Sequence, residues 1–456
     1  MFDEKIDEIK DEMIDTLKDL ISYPSVSEET DNPNMPFGIN CKNVLERFLE
    51  IATNMGFRTK NVDNYCGYVE FGEGEELVGI LGHLDVVPAL EEDGWTTPPF
   101  TADIRDGKLY GRGSIDDKGP VIASLYAMKT IMDNCKISKR VRLFVGLNEE
   151  KGWKCMNHYK EVEEWPSIGF SPDANFPGIY AEKGIMTIEL AHPIKISNFD
   201  IINIDYKNNA INVVPKYCSI TLKANNNAHI SSEETIENIS ITALDNDLYK
   251  IESFGTASHA SLPQFGDNAI KRLVEYLLSH FEFDNNYLSY IYNNGFFDIE
   301  SPRLLSSQAI EDESGILTSN VAHMDYDGTN LSFKTNLRVP VTYSLDDIKK
   351  MYEVLLNEFP DIKIEKSGIQ EPLHVDRNSN LVKTLVEIFN RKAGYNLEPI
   401  AIGGGTYARA FKNVISYGAN FPGDKDMCHQ VDEFIYIDKF ITSAKIYAEA
   451  IYELSK

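Results

Sequence analysis

The sequence predicts an α/β protein interrupted by an α+β insertion, and three observations carry that expectation. Short apolar runs at 77–81 (LVGIL) and 141–147 (VRLFVGL) flank a helical pattern over about 118–132, as parallel strands joined by a helical crossover do. Helical patterns return at 378–393 and 437–454. Between these halves, from about residue 184 to 375, the texture changes to β-rich stretches (IMTIELAH, YCSITLKA, NLSFKTNLRVP), with helical patterns near 268–282 and 345–358.

Each element has a local cause. At the start, Ile6, Ile9, Met13, Leu17 and Leu20 recur at helical spacing among acids and lysines, which predicts an amphipathic packing helix that stops near Pro24. The two apolar runs alternate little, so both faces of those strands are expected to be covered. A glycine cluster, AIGGGTYAR, separates the last two helical patterns, where the backbone can turn sharply or approach a ligand closely. The chain carries no internal repeat and no low-complexity segment.

Composition bounds the function classes. The 456 residues are 43% hydrophobic and 25% charged, which excludes a disordered chain and allows two or three domains with cores of their own. A formal net charge of −27 argues against a nucleic-acid partner, and most of the acids are explained as solvated helix faces. Cys41, Cys66, Cys135, Cys155, Cys218 and Cys428 form no CxxC pair, so neither a disulfide framework nor a thiolate zinc site is expected. No basic leader precedes an apolar core and no membrane-length apolar run occurs, which predicts a soluble cytoplasmic protein with no membrane partner.

A few acids and histidines fall where chemistry is expected. His83 and Asp85, in GHLDVVP, follow an apolar strand at the sheet edge where α/β proteins bind ligands. Asp116 and Asp117 stand side by side just before a helix, where either suits a cation and Asp117 equally suits an N-cap. The strand 141–147 runs into Asn148, Glu149 and Glu150, and one such acid can bind metal while its neighbour acts as a base. Asp173 lies in GFSPDANFP and His429 in DMCHQVDEF. Two histidines with three carboxylates suit a pair of zinc, cobalt or manganese ions bridged by one carboxylate.

The ordered motifs GHLDVVP, GRGSIDDKGP, NEEKGW, SPDANFP, HASLP, GGGTYAR and MCHQVDE resemble the M20 metallopeptidase family, and within it the bacterial dipeptidases of the PepV type. The resemblance spans about residues 75–435. It implies a catalytic α/β/α sandwich over 1–183 and 376–456, with an α+β lid domain over 184–375. It also implies two divalent ions, zinc first, with manganese or cobalt as alternatives. His83 and Asp173 would hold one ion, Glu150 and His429 the other, and Asp116 would bridge them. Asp85 would orient His83, Glu149 would be the general base, and His259 in HASLP would stabilise the oxyanion. Asn212 and Arg338 resemble substrate contacts in the lid, Arg338 as clamp for a terminal carboxylate, while the loop with Gly403, Gly404, Gly405 and Thr406 would offer backbone contacts.

The resemblance thus implies hydrolysis of a dipeptide with a free N-terminus. A deacylase or desuccinylase acting on N-acyl amino acids would use the same site, and a peptide-binding protein on a retired scaffold would need no catalysis. Cys428 is expected to point away from His429, and His323 and His374 match no motif. The length of the insertion predicts a monomer.

Overall fold

The computed structural model describes residues 2–231, 236–245 and 247–456. The chain forms two compact units. One runs to Ala181 and resumes over Leu373–Ile400 and Gly405–Lys456; the other comprises Glu182–Pro372 and Ala401–Gly404.

The first unit is an α/β layer structure on one mixed sheet. Along its main path the strands run Arg58–Val62, Cys66–Phe71, Arg140–Gly146, Leu77–His83, Ile168–Ser171, Val414–Ser416, Ile179–Glu182 and Leu373–His374. Four consecutive members, from Arg140–Gly146 to Val414–Ser416, are mutually parallel. Every residue of Leu77–His83 is buried, as its unbroken apolar run requires of a strand covered on both faces. The helix Lys118–Asn134 supplies the crossover between the 77–83 and 140–146 strands and is buried over most of its surface, with Ile437–Ser455 packed against it. In the register of the parallel pair His83 lies opposite Gly146, so the segments that follow both strands leave the sheet at one edge.

The helices Asn380–Ala393 and Ile437–Ser455 agree with the periodicity to within two residues at each end. The opening helix does not run unbroken. It forms as Phe2–Glu8 and Lys10–Ile21 about Ile9, whose φ of −111° and ψ of 7° leave the helical range. The hairpin 58–71, which the periodicity does not single out, turns through Asp63 and Asn64, both left-handed at φ 52° and 60°. Two consecutive residues of positive φ match the twist of a tight hairpin, and Asp and Asn tolerate it best among residues with a Cβ.

The second unit is α+β. One antiparallel sheet orders Thr318–Tyr326, Asn330–Val339, Gly184–Pro193 and Lys363–Gln370; another orders Phe199–Asp205, Tyr217–Ala224, Leu248–Phe254 and Ile239–Ala243. The helix Ala269–His280, capped by the Asn268 side chain, buries Ile270, Leu273, Val274 and Leu277 in the unit's core. The helical pattern near 345–358 resolves into Leu345–Tyr352 and Leu355–Glu358.

Strand spacing at the centre of the first sheet depends on missing side chains. A Cβ on Gly169 would lie 1.9 Å from the Gly79 carbonyl oxygen, a backbone atom that cannot swing aside. Gly169→Ala is therefore expected to destabilise the first unit by about 3 kcal/mol, the upper end of overpacking costs, read as a lowered urea midpoint.

Candidate metal centre

The edge where the parallel strands end gathers the acids and histidines singled out from the sequence. His83 closes its strand, Glu149 and Glu150 follow Arg140–Gly146 by three and four residues, and Asp173 follows Ile168–Ser171 by two. Asp116 enters just before the helix Lys118–Asn134, and His429 comes from the loop ahead of Phe434–Tyr436.

These side chains meet in two groups that share one member. Ligand atoms of His83, Asp116 and Asp173 all lie within 4.8 Å of one another, as do those of Asp116, Glu150 and His429. The His83 Nε2 sits 3.1 Å from Asp116 Oδ1 and 3.5 Å from Asp173 Oδ2. The other Asp116 oxygen is 3.0 Å from His429 Nε2, which is 3.1 Å from Glu150 Oε1. Each oxygen of Asp116 thus faces a different imidazole.

The His83 tautomer follows from its surroundings. Its Nδ1 lies 2.9 Å from the Asp85 carbonyl oxygen, which can only accept, so Nδ1 carries a proton in either charge state. Nε2 is the nitrogen that faces the acids, donating to them when protonated and offering its lone pair when a cation takes the proton's place. The expectation that the Asp85 carboxylate orients the ring is thereby refined. The carbonyl makes the closer contact, while the carboxylate, at 3.5 Å from Nδ1, also accepts the backbone N–H of Glu149 at 3.1 Å and of Glu150 at 3.2 Å. Asp117 stands at the N-cap position but makes no side-chain cap; its Oδ2 accepts the backbone N–H of His83 at 3.1 Å.

The charge balance of the cluster favours a cation. Among the described residues, no Lys or Arg pairs with Asp85, Asp116, Glu149, Glu150 or Asp173. Although burial opposes charge, Asp116, Asp173 and Asp85 hold the His83 pKa well above its ordinary value, and Asp116 and Glu150 raise that of His429 to about 11. Against the same burial, hydrogen bonds from His429 and His83 lower the pKa of Asp116. Burial, then neighbouring negative charge, raises Glu149 well above the carboxylate range and Glu150 to about 7. Imidazole nitrogens and carboxylate oxygens are donors suited to zinc, manganese or cobalt, and divalent ions can supply the positive charge that the cluster otherwise takes from protons.

Other contacts lie outside the residues chosen from the sequence. The Trp153 indole donates to Glu149 Oε1 at 3.1 Å. Tyr407, fully buried, sets its ring edge-on to both His83 and Trp153, with its hydroxyl 2.8 Å from Cys155 Sγ. Buried Glu433 accepts the backbone N–H of Ile115 at 3.0 Å and of Asp116 at 3.3 Å, and pairs with Arg112 at 2.6 Å. Arg112 also donates to the His429 carbonyl at 3.4 Å. Trp153, Tyr407 and Glu433 stand inside the motifs NEEKGW, GGGTYAR and HQVDE; spacing alone does not say what they touch. All six cysteines are free, and Cys428 Sγ accepts from Asn420 at 3.8 Å.

Of the remaining residues expected at the site, His259, Asn212, Arg338, Gly403 and Gly404 belong to the second unit, whereas Gly405 and Thr406 belong to the first. There the Thr406 hydroxyl is 2.6 Å from Ser416 Oγ and accepts the Ala408 N–H at 3.1 Å. In the second unit Arg338 donates to Asn336 Oδ1 and to the Gly403 carbonyl, each at 2.9 Å. His323 has a packing environment, stacked on Tyr206 with Nε2 2.7 Å from the Asn209 carbonyl.

Comparison with known proteins fits this arrangement. The profile of Peptidase family M20/M25/M40 matches residues 79–453. A Bacillus subtilis (strain 168) protein named "Putative dipeptidase YtjP" is 36% identical over 464 residues, covering 98% of each chain. A Staphylococcus epidermidis protein named "Putative dipeptidase" is 33% identical, covering 100% of this chain and 99% of its own. In fold, the chain is similar to human carnosine dipeptidase 1, at TM-score 0.56 and 16% identity. It is also similar to the dipeptidase Dug1p of Saccharomyces cerevisiae, at TM-score 0.58 and 14% identity; each of the two comparisons covers 99% of this chain and 98% of the other. No helix among the described residues is long and apolar enough to cross a membrane. The chain belongs to peptidase family M20/M25/M40 and is a metallopeptidase.

Proposed function

We propose that the chain is a dinuclear metal-dependent dipeptidase acting on short peptides with a free N-terminus. The observation that carries the reading is the Asp116 carboxylate, shared by two His–carboxylate groups with the partly buried Glu149 in the same field of charge. His83, Asp116 and Asp173 would hold one ion, and Asp116, Glu150 and His429 the other, with zinc first among zinc, manganese and cobalt. Bound there, divalent ions supply Lewis acidity that lowers the pKa of water and polarises a peptide carbonyl. The dipeptidase names of the Bacillus and Staphylococcus relatives support the substrate class.

Glu149 is the proposed general base. The Trp153 indole occupies its Oε1, which leaves Oε2 to take a proton from water and return it to the leaving amine. Asp85 holds the backbone of Glu149 and Glu150 together, so base and ligand keep a fixed relation. His259 is the proposed donor to the developing oxyanion, an interaction that acts mainly in the transition state. Asn212, Arg338 and the loop Gly403, Gly404, Gly405 and Thr406 are the proposed substrate contacts, with Arg338 suited to a terminal carboxylate.

Three outcomes are expected. Apo-protein should take up two divalent ions per chain by elemental analysis and Asp116→Ala neither of them tightly; retention of both by the variant removes the sharing. Glu149→Gln should keep both ions while kcat falls by about 10²–10⁴-fold, and a near-parental rate removes Glu149 as base. In a panel run with zinc, manganese or cobalt, free dipeptides should be cleaved and their N-acetyl forms spared. Preferential cleavage of N-acyl amino acids would assign a deacylase instead.

A further inference from the structure

We infer that Ser261 is a positioning residue that fixes His259 as its Nε2–H tautomer, so that the ring donates through Nε2. The inference rests on the proposal that His259 stabilises the oxyanion, and its structural half stands apart from that proposal.

The His259 Nδ1 lies 3.2 Å from the Ser261 backbone nitrogen and 2.6 Å from Ser261 Oγ. A backbone N–H can only donate, so Nδ1 must be the acceptor and carry the lone pair. The hydroxyl rotates to suit its partner, and against a lone pair it donates as well. In the neutral ring the remaining proton is then on Nε2. A charged imidazolium would set its own Nδ1–H against the N–H of Ser261, so the same contact disfavours protonation. The surrounding protein and, after it, the Arg338 charge lower the His259 pKa, which acts in the same direction.

The wiring is the reverse of that at His83. There Nδ1 meets a carbonyl, so the neutral ring keeps its lone pair on Nε2, as a metal ligand needs. At His259 Nδ1 meets two donors and Nε2 is left with a proton, as an oxyanion donor needs.

The segment that carries the pair is itself held. His259 bridges Val213, and the next residue, Ala260, donates its N–H to the Asn212 carbonyl at 2.8 Å. On the other side of Ser261 a Cβ added at Gly403 would come within 2.8 Å of the serine Cβ, so Gly403 packs directly on it. The Gly403 carbonyl in turn accepts from Arg338 at 2.9 Å. The serine hydroxyl therefore has a fixed base from which to meet the ring.

The test uses the full-length metal-loaded enzyme with ¹⁵N-labelled histidine, the His259 signals being assigned by their loss in His259→Ala. In the parent, Nδ1 should resonate as an unprotonated ring nitrogen accepting hydrogen bonds and Nε2 as a protonated one. Ser261→Ala should shift the Nδ1 resonance and lower kcat about tenfold, the worth of one hydrogen bond, with KM changed by no more than about twofold. Ser261→Thr, which keeps the hydroxyl, should restore both, and Ser261→Ala should cost nothing further in a His259→Ala background. A parent spectrum with the proton on Nδ1 overturns the inference, as does an Ala variant with unchanged resonance and rate or a Thr variant that restores neither. If His259→Ala itself keeps full kcat, the oxyanion proposal falls, and the spectra of the parent and of Ser261→Ala decide the tautomer by themselves.

Discussion

Holding several largely buried carboxylates beside a buried imidazole, His83, and a half-exposed one, His429, away from lysine and arginine, is the constraint on which the first unit depends. His83 and Asp85 have no exposed side-chain surface, and Asp116 is 7% exposed. Burying one such charge without compensation costs several kcal/mol even after the protein relaxes. The fold meets that cost with backbone N–H groups at the ends of parallel strands and with a donor set that takes up cations. The parallel arrangement matters because it brings the ends of three separate chain segments, carrying His83, Glu149 with Glu150, and Asp173, to one edge.

A second set of acids keeps the first in place. Asp117 accepts the backbone N–H of His83, Asp85 that of Glu150, and Glu433 that of Asp116. In each case a carboxylate outside the two ligand groups fixes the main chain of a residue inside them. Side chains on an untethered backbone would lose affinity for a cation to disorder; here the backbone of His83, Asp116 and Glu150 is tied by the protein itself. The Trp153–Glu149 contact follows the same logic for the proposed base.

Much of this was legible in the sequence, and what was not has a physical cause. The strands at 77–83 and 140–146 and the long helices announce themselves because burial on both faces, or on one stripe, imposes a composition that can be counted. The break at Ile9 and the division of 345–358 into two helices do not, since a local change in φ and ψ leaves the apolar spacing intact. Asp116, Glu150 and His429 stood out as residue types at element ends. The part played by Asp85 was only half legible, because nothing in HLD tells whether the ring meets the carbonyl or the carboxylate. Ser261 lies two residues from His259, yet only geometry distinguishes a donor on Nδ1 from an acceptor there.

Arg112 and Glu433 are 321 positions apart, and their pairing joins the loop of Asp116 to that of His429. Translation delivers these loops at different times. A ribosome working at about 5–20 residues per second exposes His83, Asp116, Glu150 and Asp173 many seconds before His429 and its anchoring glutamate emerge. For that interval the nascent chain has one ligand group complete and the other lacking its imidazole. Assembly of the whole cluster is therefore an event that follows synthesis, and the last few dozen residues decide when its second His–carboxylate group is complete.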